Sequence, residues 1–222
     1  MRQVAAQLGH DFSDPRLLQR ACTHRSFGAD NNERLEFLGD ALIGLVVAAA
    51  LHEARPQTHE GGLSRLRASL VCEASLAKLA KKLALGDALR LGEGELKSGG
   101  FRRDSILSDA LEAVFGAIYL DGGFDAARRA CLGLFDTLLH ELPDARSLKD
   151  PKTRLQELLQ ARGEPVPGYE VVGESGPPHA RCFAVVCRLA DGMQCEADGS
   201  SRRKAEQEAA AYMLTKLEGG NA

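Results

Sequence analysis

The chain has 222 residues, of which 44% are hydrophobic and 27% charged, and a formal net charge of −3 at pH 7. That balance reads as an ordinary soluble globular protein of one large or two small domains, and the weak net charge provides no global attraction for nucleic acid. No run of about 18 apolar residues is present, which argues against a membrane span.

The N-terminus, Met1 to Gln7, turns polar too soon for a signal peptide, so cytoplasmic residence is the default expectation. The six cysteines show no CxxC pair and no metal-type spacing, and read as reduced, mostly buried thiols.

Residues 1–140 read as helix after helix. Apolar periodicity near 3.6 runs through 33–52, 62–84, 104–120 and 124–141, with Gly and Pro between. Asp104 or Ser105 is placed to cap the third run, and Asp121-Gly122-Gly123 to end it. Leu142 to Leu148 reads as a short polar linker. Asp150-Pro151 then predicts an N-cap and N1 proline, opening a helix to about Ala161. A loop over 163–168 leads to a strand at 169–174, a loop at 175–180 and a second strand at 181–189. Asp191-Gly192 is a hairpin turn, and 193–197 a third strand. Ser200 or Ser201 caps a last helix reaching Leu217.

In the first of the helical runs, Glu33, Glu36 and Asp40 fall within roughly 60° of one another on the helix surface. Leu35, Leu38, Leu42 and Val46 fall on the opposite side. Like charges at this spacing repel, and Glu36 and Asp40 lack a Lys or Arg at i+3 or i+4. Asp109 and Glu112 form a second pair, beside Leu107, Leu111, Val114 and Ile118. If the two helices converge, Glu36, Asp40, Asp109 and Glu112 make an all-oxygen site suited to Mg2+ or Mn2+ rather than zinc. Such a site activates water and stabilises phosphoryl oxygens. The other reading is a merely solvated helix face, and spacing alone does not choose. Gly39 and Gly44, each unfavourable by about 1 kcal/mol in a helix interior, suggest close approach by another backbone.

The acids and bases of 147–222 nearly balance, at 11 Asp+Glu against 10 Lys+Arg, so a nucleic-acid contact must come from local clusters. Arg202-Arg203-Lys204, after Ser201, is the densest. Cations in a first helical turn oppose the macrodipole, so the fitting occupant is a phosphate backbone. On the first helix of this half, Thr153, Gln156, Glu157 and Gln160 share a polar face, able to meet 2′-hydroxyls in the minor groove of A-form RNA. His179 sits in the first inter-strand loop with Pro177 and Pro178. No aromatic platform for single strands is evident, since Tyr169, Phe183 and Tyr212 are scattered.

Asn32 to Ile43 resembles the signature of the ribonuclease III family. Arg103 to Ala113 is similar to the family's second catalytic segment, and His59 to Ala68 resembles a connecting segment that contributes another acid. The α-β-β-β-α order of the second half resembles a double-stranded RNA-binding domain. Together these cover essentially the whole chain.

The resemblance implies an all-helical nuclease domain over 1–123 with a helical extension to about 141, a linker at 142–149 and an RNA-binding domain over 150–220. It implies that Asp40 and Glu112 are catalytic, that Glu36, Asp109, Asp40 and Glu112 hold Mg2+ (with Mn2+ able to substitute), and that Glu33 and Glu60 are supporting acids. It implies RNA contacts from Thr153, Gln156, Glu157, Gln160, His179, Ser201, Arg202, Arg203 and Lys204. Phe37 lies within about 40° of Glu33 on the helix wheel, off the apolar stripe. In the family this position resembles a plug that enters a socket on a second subunit, which makes Phe37 a dimer-seam candidate.

The implied activity is metal-dependent endonucleolytic hydrolysis of double-stranded RNA by a cytoplasmic homodimer without a small-molecule cofactor. The implied products carry 5′-phosphates and short 3′ overhangs, and the implied role is in maturing ribosomal RNA and some messenger and transfer RNAs. A rival is an RNA-binding scaffold with a decayed nuclease fold, but all four carboxylates are present. A small-substrate helical hydrolase is disfavoured by the attached duplex-binding module.

Overall fold

The structure, a computed structural model, describes residues 1–177 and 179–219. Pro178 of the expected loop and Gly220, the expected domain limit, lie outside the described residues. The chain forms two compact units, Met1–Leu148 and the part from Lys149 onward.

The first unit contains α1 (Arg2–Gln7), α2 (Pro15–Ala21), α3 (Glu33–Ala54), α4 (Glu60–Leu70), α5 (Glu73–Lys82), α6 (Glu93–Lys97) and α7 (Asp104–His140). Its core is α3 against α7. Leu35, Leu42, Ile43, Val46, Val47 and Leu51 of α3 are buried in one apolar cluster with Leu107, Leu111, Val114, Phe115 and Ile118 of α7. By length and composition α3 could cross a membrane, yet its apolar stripe is committed to this core.

Three local expectations are corrected. The run 62–84 is two helices, because Cys72 adopts an extended conformation (ψ 155°) and starts α5 afresh. Neither Asp104 nor Ser105 caps α7. The N-cap is Arg103, which makes no side-chain cap bond, while the Asp104 carboxylate takes the Lys81 ammonium. Gly44 meets no other backbone, since a Cβ built there finds nothing within 4 Å. The break expected at Asp121-Gly122-Gly123 is present as a kink. Gly123 has φ +76°, a region open to glycine, and Asp121 accepts from the backbone of Ser13 and Asp14 and pairs with His10 at 2.8 Å. Beyond α7, Leu142, Ala145 and Leu148 of the presumed linker pack against the helical core.

The second unit has the order α8 (Pro151–Ala161), β1 (Gly168–Ser175), β2 (Cys182–Arg188), β3 (Gln194–Gly199) and α9 (Arg202–Gly219). Asp150 caps α8 by accepting from the Lys152 N–H at 2.9 Å, with Pro151 at N1, so its boundaries match the sequence signal. The sheet is antiparallel in order β1-β2-β3, with Tyr169 opposite Cys187, Val185 opposite Ala197 and a bulge between Val171 and Gly173. Leu155 and Leu159 of α8 and Ala209, Ala210, Met213 and Leu214 of α9 bury against Cys187, Leu189 and Ala197 of the sheet segment.

Candidate active site and nucleic-acid interface

The acidic site exists because two helix backbones touch. A Cβ at Gly39 of α3 would lie 1.8 Å from the Glu112 carbonyl oxygen of α7, and one at Gly116 of α7 would lie 2.2 Å from the Leu35 carbonyl oxygen. Only glycine permits that approach, one on each helix. The contact carries the acidic face of α3 to that of α7. Glu36, Asp109 and Glu112 each offer a carboxylate oxygen, and these atoms lie within 4.8 Å of one another. Asp40 is exposed and outside that triplet, but close enough that its charge is the largest electrostatic influence on Glu112.

Like charges and partial burial penalise ionisation here. Burial first, then Asp40, Glu36 and Asp109, pushes the Glu112 carboxyl up to about 8. Glu36 is raised by burial, then by Asp109 and Glu33, with Arg25 opposing. Asp109 is raised by burial, against the Ser108 hydroxyl that faces it at 3.4 Å. Among the described residues none of the four carboxylates forms an ion pair. Hard oxygen donors held in no ion pair fit a divalent cation such as Mg2+.

Glu33 lines a cavity of about 600 Å3 together with Glu36, Asp109, His24, Arg25 and Arg103. Arg25 reaches Glu33 at 3.7 Å and, with His24, counters the charge of Asp109. Sequence reasoning missed His24 and Arg25, which sit in a loop with no periodicity to mark them. It also missed Asn32, buried at 2% exposure with its Nδ2 unpartnered. Glu60 is not brought to this cluster within the chain. It accepts from the Ser64 hydroxyl at 2.8 Å and lines a separate cavity of about 660 Å3 with His52, Arg55 and Arg67. Phe37 is 80% exposed.

In the second unit, Thr153, Gln156, Glu157 and Gln160 all lie on the exposed face of α8, with Leu155 and Leu159 buried behind them. Glu157 is engaged by the Lys149 ammonium. His179 is exposed between β1 and β2. The Ser201 hydroxyl accepts from the Lys204 N–H at 3.3 Å, capping α9. Arg202, Arg203 and Lys204 are exposed, but only Arg203 and Lys204 are free of ion pairs among the described residues; Arg202 is paired with Glu206.

A half-buried carboxylate cluster between two helices, in a chain that also carries a helix-flanked antiparallel sheet with a cationic helix start, defines a helical hydrolase unit joined to a nucleic-acid module. Comparison with known proteins makes this specific. The Ribonuclease-III-like family matches residues 14–138, and the double-stranded RNA binding motif matches 151–217. The chain is 56% identical over 212 residues to Ribonuclease 3 of Thiobacillus denitrificans, covering 95% of this chain and 94% of that protein. It is 55% identical over 213 residues to Ribonuclease 3 of Alkalilimnicola ehrlichii, at 96% and 93% coverage. A solved ribonuclease III nuclease domain from Campylobacter jejuni, described for a flexible region involved in dimer formation, superposes with TM-score 0.60 at 47% identity, over 61% of this chain and 95% of that one. The chain belongs to the ribonuclease III family, and is an enzyme of that class carrying a double-stranded RNA-binding motif.

Proposed function

We propose that this enzyme cuts both strands of double-stranded RNA in a divalent-metal-dependent reaction, with Mg2+ as the working ion, Glu36, Asp40, Asp109 and Glu112 as its ligands, and Asp40 and Glu112 nearest the chemistry. The observation that carries this reading is the convergence of the Glu36, Asp109 and Glu112 oxygens within 4.8 Å, none of them in an ion pair among the described residues. A bound ion would supply Lewis acidity toward the phosphodiester and activate water at neutral pH. The protein's part is to hold the ligands by the α3–α7 backbone contact and to give up the proton that Glu112 retains at pH 7. Hydrolysis joins a water oxygen to phosphorus and breaks the bond to the 3′-oxygen, which takes a proton, leaving a 5′-phosphate and a 3′-hydroxyl.

The nuclease domain of this reading spans residues 1–123 with its extension to about 141, and the RNA-binding domain 150–220. Glu33 is assigned a supporting role in the cavity it lines. Glu60 enters the reading only through a second chain, because it stands apart from the cluster in its own. A homodimer is supported by the exposure of Phe37 at 80% and of Leu45 at 58% on α3, and by the dimer-forming region of the Campylobacter jejuni domain. Two sites in a dimer would cut opposite strands and leave staggered 3′ ends. Thr153, Gln156, Glu157, Gln160, His179, Ser201, Arg202, Arg203 and Lys204 form the duplex-facing set. Cytoplasmic processing of ribosomal, messenger and transfer RNA precursors is the corresponding role.

Incubating the protein with a long RNA duplex and with its separate strands, each in Mg2+ and in EDTA, tests the reading. Mg2+-dependent cutting of duplex alone, with 5′-phosphates and staggered ends, is the expected result. Tight duplex binding without cleavage in any divalent metal would leave only a scaffold.

A further inference from the structure

The acid Glu206 lies one turn into the helix whose start carries Arg202, Arg203 and Lys204. Its side chain is only 14% exposed, although the helix start around it is open to solvent. It accepts from Arg202 Nε at 3.0 Å and from Lys152 Nζ at 2.6 Å. Lys152 belongs to the first turn of α8, and its ammonium also lies 4.3 Å from the centre of the Tyr169 ring in β1. One carboxylate thus links α8 to α9 and, through Lys152, to β1. A second link runs beside it from Gln207 of α9 to Asp150, the residue that caps α8. Hydrogen bonds from Lys152 and Arg202 hold the Glu206 carboxyl below its usual range, so it is ionised throughout the neutral range.

An acid at this place is otherwise hard to account for. A carboxylate beside a polyanion's contact surface repels it over a screening length of about 8 Å. Duplex RNA must meet two elements at once, a helix face in the minor groove and a cation cluster on phosphates across the major groove. Their relative placement therefore sets whether both contacts form. We propose that Glu206 is a positioning residue for duplex binding, locking the first turns of α8 and α9 in the relative orientation that lets Thr153, Gln156 and Gln160 engage together with Arg203 and Lys204. This rests on the reading of those residues as RNA-facing.

The two roles of the carboxylate predict opposite signs. If only its field mattered, removing the charge would tighten duplex binding. If it positions, removing the charge weakens binding, because a glutamine has one acceptor oxygen for two cations. The experiment is Glu206→Gln in the full chain, with duplex RNA affinity measured in EDTA across a salt series. Affinity should fall by about tenfold, the worth of one charged hydrogen bond. The salt slope should shrink by about one unit as one phosphate ceases to be neutralised. In Mg2+ the defect should appear in KM rather than kcat. Equal or tighter binding overturns the proposal. So does weaker binding with an unchanged slope and a lowered melting transition, which is what simple destabilisation gives. Arg203→Ala with Lys204→Ala is measured in parallel. If that double variant also leaves affinity and slope unchanged, the RNA-facing reading of α9 fails and the inference falls with it. If it weakens binding while Glu206→Gln does not, the inference alone falls.

Discussion

The two units handle clustered charge in opposite ways. In the helical unit, Glu36, Asp109 and Glu112 are brought together by a backbone contact at Gly39 and Gly116, with Asp40 near them, and none of the four is in an ion pair among the described residues. In the second unit, Lys152 and Arg202 converge on Glu206, which pairs with both. The first cluster is electrostatically incomplete and the second largely complete. An incomplete cluster is poised to take up an ion, since raised carboxyl groups release protons when a cation arrives. A balanced cluster is a brace, and its work is geometry. Arg203 and Lys204, on the proposed RNA-facing surface, are in no ion pair among the described residues.

The sharpest way to break this comparison is Glu112→Gln. Cleavage should fall by about 10²–10³-fold, while duplex affinity changes little, as read by single-turnover cutting and binding assays on the same preparation. Wild-type cutting would remove Glu112 from the site.

Next in size is Gly39→Ala. Its methyl group would sit 1.8 Å from the Glu112 carbonyl oxygen, so the helices must part. Overpacking of this kind costs about 1–3 kcal/mol. Thermal melting should show a fall of about 2–4 °C for each kcal/mol, together with a higher Mg2+ requirement. An unaltered melting curve would mean that the backbone contact does not hold the acids.

Arg203→Ala with Lys204→Ala should weaken duplex binding and reduce the salt slope by about one unit for each phosphate no longer neutralised. The melting temperature should stay nearly intact, since neither side chain is in an ion pair among the described residues.

The pH dependence of stability is a smaller effect with a definite sign. The Glu112 carboxyl is raised in the folded chain to about 8. Between the usual glutamate range and about pH 8 the folded state holds a proton that the unfolded state has released. Stability without divalent metal should therefore decline as pH rises through that window, then level off. Glu112→Gln should flatten the decline in melting experiments done in EDTA. A wild-type profile that rises over the same interval would contradict the raised carboxyl.

Smallest is Gly44→Ala, which meets open space in the chain and should gain up to about 1 kcal/mol of helix stability. A loss instead would indicate that a second chain approaches that turn of α3.

Local chemistry wrote the legible parts of the fold. Asp150-Pro151 sets the start of α8, Asp191-Gly192 turns the hairpin with Gly192 at φ +86°, and Leu155 and Leu159 face inward as their spacing requires. The acidic faces of α3 and α7 were equally readable, because helical period alone puts Glu36 beside Asp40 and Asp109 beside Glu112. The break between α4 and α5 at Cys72 was not readable, since no glycine or proline marks it and packing overrides an unbroken apolar period. The divergence of Gly39 and Gly44 was equally hidden, because two glycines in one helix look alike until a neighbour touches one of them. The separation of Glu60 from the other acids, and the approach of Arg25 and His24 to them, depend on where loops return.

The sequence by itself determined which residues could share a face and which helices carried acid or base, because those follow from repeat periods and capping chemistry within a few turns of chain. Only the tertiary structure decided that Glu112 meets Glu36 across two helices, and that Arg202 is tied to Lys152 through Glu206. Those meetings join residues far apart in the chain, and the period of either helix alone does not specify them.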